Sequence, residues 1–295
     1  MSLPREVVPG RFYMVTRRCT QRQFLLRPDA ATNNAFLYCL ADAAQRCQIT
    51  VLLTCALSNH HHTIVFDPEG KLPAFTEHFH KLLAKSQNAL RGRWENFWAC
   101  EQVCVVRLVD PADVLHKLVY VATNPVKDRL VEKAHHWPGI NGLTSLLTGR
   151  TLHASRPAHF FRATGPMPAA LTLTLSLPPQ LGDTQQLLAE LRAQVTAIEA
   201  AVAADRRRTG APVLGRRAIL HQSWRAGPTT HAPRRNLRPR LAVRSVWSRL
   251  EAIARNREFM AAYRDARAGW LAGAAVVFPS GTYWLRRFAR VPVAT

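Results

Sequence analysis

The sequence lacks the features of several protein classes. No stretch of about 20 residues is apolar enough to span a bilayer. Residues 1–12 contain two Arg and no apolar segment of the kind that a secretory leader needs. The six Cys form no CxxC pair and no zinc-ribbon spacing, and several lie in apolar segments, where a free thiol packs as a small hydrophobic group. We therefore expect a cytoplasmic protein without disulfides and without a membrane partner.

Acidic residues are scarce, because 19 Asp and Glu face 40 Lys and Arg, for a formal net charge of +21. Such a surplus attracts polyanions, and binding them releases their counterions. Nucleic acid is therefore the first partner to consider and an anionic membrane surface the second. Charge that serves solubility alone is the remaining alternative. From residue 166 onward the chain has no Lys, and 20 Arg face seven acidic residues.

The hydrophobic patterns of residues 1–135 predict the α+β class. Strand-like and helix-like segments alternate in the order β-α-β-β-α-β-α, which indicates an antiparallel sheet with helices packed on one face. The predicted strands are 12–18, 49–57, 60–66 and 102–108, and the predicted helices are 29–46, 73–90 and one after residue 110. Asp110 is a good N-cap for this last helix, which we expect to stop before Pro125.

The composition changes near residue 165. Residues 165–179 are apolar and bounded by Pro, which indicates a linker or a docking strand. Helical spacing predicts helices over 183–208 and 243–271, and the Pro, Gly and Arg content of 209–240 predicts an extended basic loop. We therefore divide the chain into a domain of residues 1–165 and a basic, mostly helical extension of residues 166–295 that docks on the domain or binds DNA.

Three consecutive His at positions 60 to 62 are the most unusual feature of the sequence. On a strand, side chains two residues apart point to the same face, so His60 and His62 can hold one divalent cation while His61 points away. A pair of polar side chains on an exposed strand face is the alternative interpretation.

Tyr120 and Asn124 share one face near the end of a predicted helix, because they are four residues apart. If that face packs on the His pair, two imidazoles and an amide oxygen can hold a metal ion beside a phenol. A metal ion so placed polarises a phosphodiester, and the phenol becomes an activated nucleophile. The alternatives are a core aromatic with a hydrogen-bonded hydroxyl for Tyr120, and a helix-ending residue before Pro125 for Asn124.

Three segments resemble the HUH single-tyrosine transposases, and most closely their REP-associated branch. The segment 57–62, LSNHHH, resembles the strand that carries the paired His of that family. The segment 120–127, YVATNPVK, followed by Leu130-Val131 and Trp137-Pro138, resembles the helix that carries the Tyr and its exit. The segment 9–18, PGRFYMVTRR, resembles the first strand. The resemblance covers residues 5–165 and implies a ferredoxin-like or RRM-like HUH endonuclease core.

The resemblance also implies the roles of the site residues. His60, His62 and Asn124 would hold Mg²⁺ or Mn²⁺, and Tyr120 would attack the DNA to form a 5′-phosphotyrosine and a free 3′-OH. Three positions depart from the family pattern: His61 stands where a hydrophobic residue is expected, Met14 where His is common, and Ser58 where Pro is usual.

Basic and aromatic side chains supply candidate contacts to DNA, through phosphate charges and through stacking on unpaired bases. The candidates are Arg17, Arg18, Arg91, Arg93, Trp94, Trp98, Lys127, Arg129, Arg207, Arg234 and Arg235. A small aromatic core plug is the alternative for the Trp residues, and a solvated linker is the alternative for the arginines of the extension.

The sequence thus predicts an enzyme that nicks and rejoins single-stranded DNA, with the DNA of a hairpin as the expected substrate. We expect it to be a nucleoid-associated monomer or homodimer. A transposase-derived protein that binds DNA or RNA without turnover is the second hypothesis. A zinc-dependent hydrolase is the third, although the sequence offers no carboxylate base at a suitable spacing.

Overall fold

The computed structural model describes residues 4–230 and 239–294, and its centre is a five-stranded sheet. In chain order the strands are β1 (Arg11–Arg18), β2 (Thr50–Leu57), β3 (His60–Asp67), β4 (Cys104–Leu108), β5 (Leu152–Ser155), β6 (Ala170–Leu173) and β7 (Leu241–Ala242). The central sheet has the order β2-β3-β1-β4-β7, and its first four strands are antiparallel. The fifth strand, β7, is a short strand from the extension that pairs parallel with its neighbour β4. The predicted α+β class with an antiparallel sheet is confirmed.

The helices follow the predicted order as far as residue 135. They are α1 (Ala30–Cys47), α2 (Leu72–Arg91), α3 (Pro111–Lys127), α4 (Leu143–Thr148), α5 (Thr184–Thr209), α6 (Arg216–His221), α7 (Val246–Leu271) and α8 (Trp284–Phe288). No helix in the described ranges combines the length and the apolar character that a membrane crossing requires.

Helices cover both faces of the central sheet, so the prediction of a single covered face is wrong. Side chains alternate along β3, and His61 and His62 therefore point to opposite faces. The rings of Phe36 in α1 and Phe79 in α2 contact the His61 ring, whereas Tyr120 in α3 contacts the His62 ring. β2 and β3 are buried at all positions but their first, which is the pattern of strands that are covered on both sides.

A capping box fixes the start of α3. The side chain of Asp110 accepts a hydrogen bond from the third residue of the helix, and Asp113 Oδ2 accepts one from the Asp110 amide at 3.1 Å. Pro111 occupies the first helical position, where its missing amide proton costs nothing. Such a cap contributes about 1 kcal/mol, and it sets which residues of α3 face the sheet.

The helix α3 continues past Pro125 to Lys127, so the prediction that it stops before the proline is wrong. Proline lacks the amide hydrogen bond to the carbonyl one turn back, and its ring crowds that carbonyl. Here Asn124, Pro125 and Val126 are all buried, and their packing outweighs the lost hydrogen bond. The extra turn keeps Asn124 helical and in line with Tyr120.

The extension packs on residues 1–165 through several elements. The segment 165–179 supplies β6, which pairs antiparallel with β5 and is therefore a docking strand. α5 starts after the N-cap Asp183, close to the predicted residue, and lies against α3. The predicted loop of residues 209–240 contains α6, and the next predicted helix is α7. The division of the chain at residue 165 stays a prediction.

Candidate active site

His60 and His62 lie side by side on the face of the sheet that α3 covers, with ring centroids 4.9 Å apart. Nδ1 of His60 donates to Asn59 Oδ1 at 2.6 Å, and Nδ1 of His62 lies 2.7 Å from Thr16 Oγ1. Both rings are therefore held through Nδ1. The Nε2 atoms are left as the nitrogens that can bind a cation, as in metal sites where a neighbour orients the imidazole.

The helix α3 brings Tyr120 and Asn124 to these imidazoles. The ring centroid of Tyr120 lies 5.4 Å from that of His62, and Asn124 Nδ2 lies 3.4 Å from His62 Nε2. Asn124 Oδ1 is buried and has no hydrogen-bond partner among the residues that the structure describes. The structure thus brings together the four side chains of the predicted site, while their catalytic roles stay predictions.

Both imidazoles of the site are neutral at neutral pH. Burial lowers the pKa of His60 to about 4, and the charges of Arg18 and Arg22 contribute to this shift. Burial is also the main reason that the pKa of His62 lies well below its usual value, with His60 as the next cause. A neutral imidazole is the form that binds metal ions, so these rings need lose no proton to act as ligands.

The phenol of Tyr120 is half-buried and harder to ionise than a free tyrosine. Burial raises its pKa, the charge of Asp128 raises it further, and the side chain of Asn124 acts in the opposite direction. Nζ of Lys117 and Nζ of Lys127 lie 5.5 Å and 5.6 Å from the centroid of its ring. The phenol therefore stays protonated at neutral pH unless further positive charge near its oxygen stabilises the phenolate.

The donor set fits a divalent cation. It offers two neutral imidazoles and a buried amide oxygen that accepts no hydrogen bond from any residue of the described ranges. Imidazole and amide donors suit Mn²⁺ better than Mg²⁺, because Mg²⁺ prefers oxygen ligands throughout. Within the described ranges no group of three or more His, Cys, Asp and Glu side chains could hold a metal ion. A third protein ligand beside His60 and His62 would therefore come from another residue type, and Asn124 Oδ1 is a buried amide oxygen next to them.

Two contributors to the site were missed at the sequence level. Lys117, Tyr120, Asn124 and Lys127 are three, four and three residues apart, which is the spacing of one helix face, so the sequence contained the evidence for Lys117. Thr16 could not be found this way, because its contact with His62 depends on the register between β1 and β3.

The two adjacent arginines of β1 point to opposite faces of the sheet. Arg18 pairs in register with His60, is exposed and lowers the pKa of that imidazole, so it lies at the site. Arg17 lies on the other face with its guanidinium carbon 5.3 Å from the centroid of the Trp98 ring. The structure therefore brings Arg18 to the site and leaves Arg17 away from it.

The predicted cluster around residues 91–98 divides into buried and exposed members. The side chain of Arg91 is 3% exposed and donates to Leu25 O and Thr32 Oγ1, so few of its donors remain for a phosphate. Trp98 is buried, and its Nε1 donates to His80 O. Both observations agree with the alternative interpretation, in which this ring is part of a small aromatic core.

The other two members of this cluster differ in exposure. Arg93 is half-buried, its Nη1 donates to Gln23 Oε1 at 3.3 Å, and its guanidinium carbon lies 6.0 Å from the centroid of the Trp224 ring. Trp94 is 96% exposed and free to stack on a base. Their contacts with DNA stay predictions.

The remaining predicted contacts lie at the end of α3, in α5 and beyond it. Arg129 forms an ion pair of 2.9 Å with Asp205, and Arg207 is exposed at the end of α5. Arg234 and Arg235 lie outside the described residues. Contact of all four with DNA stays a prediction.

His61 is accommodated in the core by a second buried histidine. His61 Nε2 lies 3.0 Å from His80 Nε2, and His61 Nδ1 lies 3.1 Å from Thr63 Oγ1. Burial lowers the pKa of His61 to about 3 and holds that of His80 well below its usual value. The polar ring that departs from the family pattern is therefore neutral and hydrogen-bonded, on the sheet face opposite the site.

We expect the free energy of unfolding to fall steeply as the pH drops below 6.5. The pKa of an unfolded histidine is 6.5 and that of folded His61 is about 3, so between these values the unfolded chain binds protons that the native chain does not. Each such imidazole costs about 1.4 kcal/mol of stability per pH unit inside this window and nothing above it. Urea unfolding at several pH values measures the slope. The variant His61→Val/His80→Leu should have a shallower slope, and an unchanged slope would contradict this account.

Two solved structures, one of a transposase and one of a candidate transposase, are similar to parts of this chain. No protein-family model and no curated protein sequence matches it. A REP-associated tyrosine transposase bound to a REP hairpin is similar over 48% of this chain and 82% of its own, with 19% identity and a TM-score of 0.41. A protein from Deinococcus radiodurans R1 described as a candidate transposase is similar over 40% of this chain and 93% of its own, with 14% identity and a TM-score of 0.30. Likeness at these TM-scores does not decide a function, which depends on the site itself.

Proposed function

We propose that the protein is a metal-dependent endonuclease and strand transferase of the transposase kind, which acts on single-stranded DNA through Tyr120. The observation that carries the proposal is the meeting of α3 with β3. A phenol, a buried amide oxygen and two neutral imidazoles converge there, beside two lysines. The motifs of residues 5–165, which resemble HUH single-tyrosine transposases, support the same reaction.

The site offers a ligand set for Mg²⁺ or Mn²⁺ in His60, His62 and Asn124. A divalent cation bound there would polarise the scissile phosphodiester and stabilise the charge that develops on its oxygens. The chain itself supplies the orientation of the ligands. Thr16 and Asn59 hold the two imidazoles through Nδ1, and burial keeps both rings unprotonated.

Tyr120 supplies the nucleophile in this proposal. Its phenol oxygen forms a bond to phosphorus, the bond from phosphorus to O3′ breaks, and the proton lost by the phenol is balanced by the proton that O3′ gains. The product is a 5′-phosphotyrosine and a free 3′-OH. The energy of the phosphodiester is retained in the covalent bond, so that another 3′-OH can reverse the step and rejoin the strand.

Lys117 and Lys127 supply positive charge beside the nucleophile. Both ammonium groups lie near the Tyr120 ring, where they attract the phosphate that the phenol attacks. Burial and Asp128 raise the pKa of the phenol, and the side chain of Asn124 acts in the opposite direction.

A pool of random-sequence DNA hairpins with single-stranded flanks and a fluorescent 3′ end tests the proposal. The wild-type protein should cut the single-stranded part with Mn²⁺ or Mg²⁺ and not with EDTA. The labelled 3′ fragment should stay attached to the protein in denaturing gels. Fully duplex DNA of the same length is the control and should remain uncut.

The other hypotheses give different results in this assay. A transposase-derived binding protein without turnover shifts the hairpins in native gels and forms no adduct. A zinc hydrolase cuts with Zn²⁺ and leaves no labelled fragment on the protein. Either result would overturn the proposed function.

A further inference from the structure

A basic groove lies between α3 and the C-terminal extension, on the sheet face that carries the candidate site. Its volume is about 760 Å³. Met14 and Val106 of the sheet line it, together with the first half of α3, residues 239–244 and one face of α7.

The walls of the groove carry a strong excess of positive charge. Its positively charged side chains are Lys117, Arg240, Arg244, Arg249 and Arg257. The carboxylate among its lining residues is Asp113, which is 2% exposed. Asp113 Oδ1 accepts from the Arg244 amide at 2.9 Å, while its Oδ2 caps α3, so this carboxylate ties the extension to α3 and has little exposure to a ligand.

Three of the arginines are available to a ligand. Arg244, Arg249 and Arg257 are exposed, and none of them forms an ion pair with another residue in the ranges 4–230 and 239–294. Arg240 is held in place, because its Nη1 donates to Asn256 Oδ1 at 3.4 Å. Exposed guanidinium groups along a groove are suited to phosphates at successive positions of a chain.

The groove borders the candidate nucleophile. Lys117 lines the groove, and its Nζ lies 5.5 Å from the centroid of the Tyr120 ring. Met14 of the groove stands two residues before Thr16 on the same face of β1, and Thr16 contacts His62. A polyanion that lies in the groove therefore reaches the site without crossing to another face of the sheet.

We propose that this groove binds the unpaired DNA strand that flanks the scissile phosphate, through its phosphates and without regard to sequence. The proposal rests on the proposed function, to which it adds the path of the substrate. A volume of about 760 Å³ lies in the range of about 300–1,000 Å³ that takes compact ligands, so the groove has room for a few nucleotides. Met14, Val106 and Ile253 give the groove an apolar part, which suits the base faces that only an unpaired strand exposes.

Binding of fluorescent (dT)30 tests the groove, measured by anisotropy in Tyr120→Phe protein so that cleavage does not interfere. The variant Arg244→Ala/Arg249→Ala/Arg257→Ala should bind at least about tenfold more weakly at 0.1 M salt. The slope of log K against log salt should become smaller by about 2, because each phosphate contact with a single strand contributes about 0.7. A 30-base-pair duplex should lose much less affinity than (dT)30.

A matched variant controls for the loss of net charge. Arg150→Ala/Arg192→Ala/Arg264→Ala also removes three exposed arginines, all outside the groove, and should bind (dT)30 nearly as the parent does. Equal weakening by both triple variants, or equal weakening for duplex and single strand, would overturn the groove proposal.

The groove proposal and the proposed function fail in different ways. If the wild-type protein forms no covalent adduct while the groove variant still loses affinity for (dT)30 selectively, the function fails and the groove stands. If the wild-type protein nicks DNA and the groove variant both binds and nicks like it, the groove proposal fails alone.

Discussion

Replacing Tyr120 with Phe is expected to abolish the covalent adduct and to reduce metal-dependent nicking by at least about 10⁴-fold. Losses of this size are typical when the nucleophile of a covalent mechanism is removed. Phe keeps the ring that contacts His62 and removes only the hydroxyl, so the fold should remain unchanged. Gel assays with 3′-labelled hairpin DNA measure both effects, and thermal unfolding shows whether the variant is intact.

Tyr283→Phe is the matched control for this substitution. Tyr283 lies before α8, and its hydroxyl is 3.4 Å from Arg287 Nη1. Its loss should leave nicking and adduct formation as in the wild type. Nicking that survives in Tyr120→Phe and is lost in Tyr283→Phe would show that the nucleophile has been misassigned.

The double variant His60→Ala/His62→Ala is expected to lose Mn²⁺ binding and to lower nicking by about 10³-fold or more, because a metal ion contributes several kcal/mol to such a transition state. Calorimetric titration with Mn²⁺ and the rise of the melting temperature with Mn²⁺ concentration measure the binding apart from activity. His135→Ala/His136→Ala removes two exposed imidazoles and should bind Mn²⁺ like the wild type. Equal Mn²⁺ affinity in the two double variants would show that His60 and His62 do not bind the metal ion.

Substitutions of Asn124 separate a ligand from a hydrogen-bond donor. Asn124→Asp keeps an oxygen donor and adds negative charge, so Mn²⁺ binding should be retained. Asn124→Leu offers no side-chain atom that can bind the metal ion, so Mn²⁺ binding should be lost. If Asn124 serves only to donate from Nδ2 to His62 Nε2, the two substitutions should weaken binding alike.

Much of the fold could be predicted from the sequence because its cause is local. Alternation along 60–67 and helical spacing along 111–127 depend only on neighbouring residues, and the structure has both elements with Asp110 as the N-cap of α3. The stop before Pro125 was wrong, because the burial of Asn124 and Val126, a tertiary effect, outweighs the local preference of proline. The prediction that helices cover one face of the sheet was wrong for a related reason, because no local pattern indicates on which side of the sheet α3 lies.

The candidate site follows the same division between local and tertiary causes. Spacing along the chain predicts that His60 and His62 share one face of a strand and that Tyr120 and Asn124 share one face of a helix. Only the folded structure shows that these two faces meet. The partner of His61 could not be predicted, because His80 follows 19 residues later on another element. The basic groove could not be predicted either, because residues 239–244 have no periodicity that would place them beside α3.

Mass spectrometry of the trapped complex tests the central claim most directly. After reaction of the wild-type protein with a DNA hairpin and Mn²⁺, digestion by protease and nuclease should leave a nucleotide on one tyrosine-containing peptide. The account predicts that the modified residue is Tyr120 and that the modification disappears with EDTA. A nucleotide on Tyr283 or on any other side chain, or cleavage that leaves no nucleotide on the protein, would contradict it.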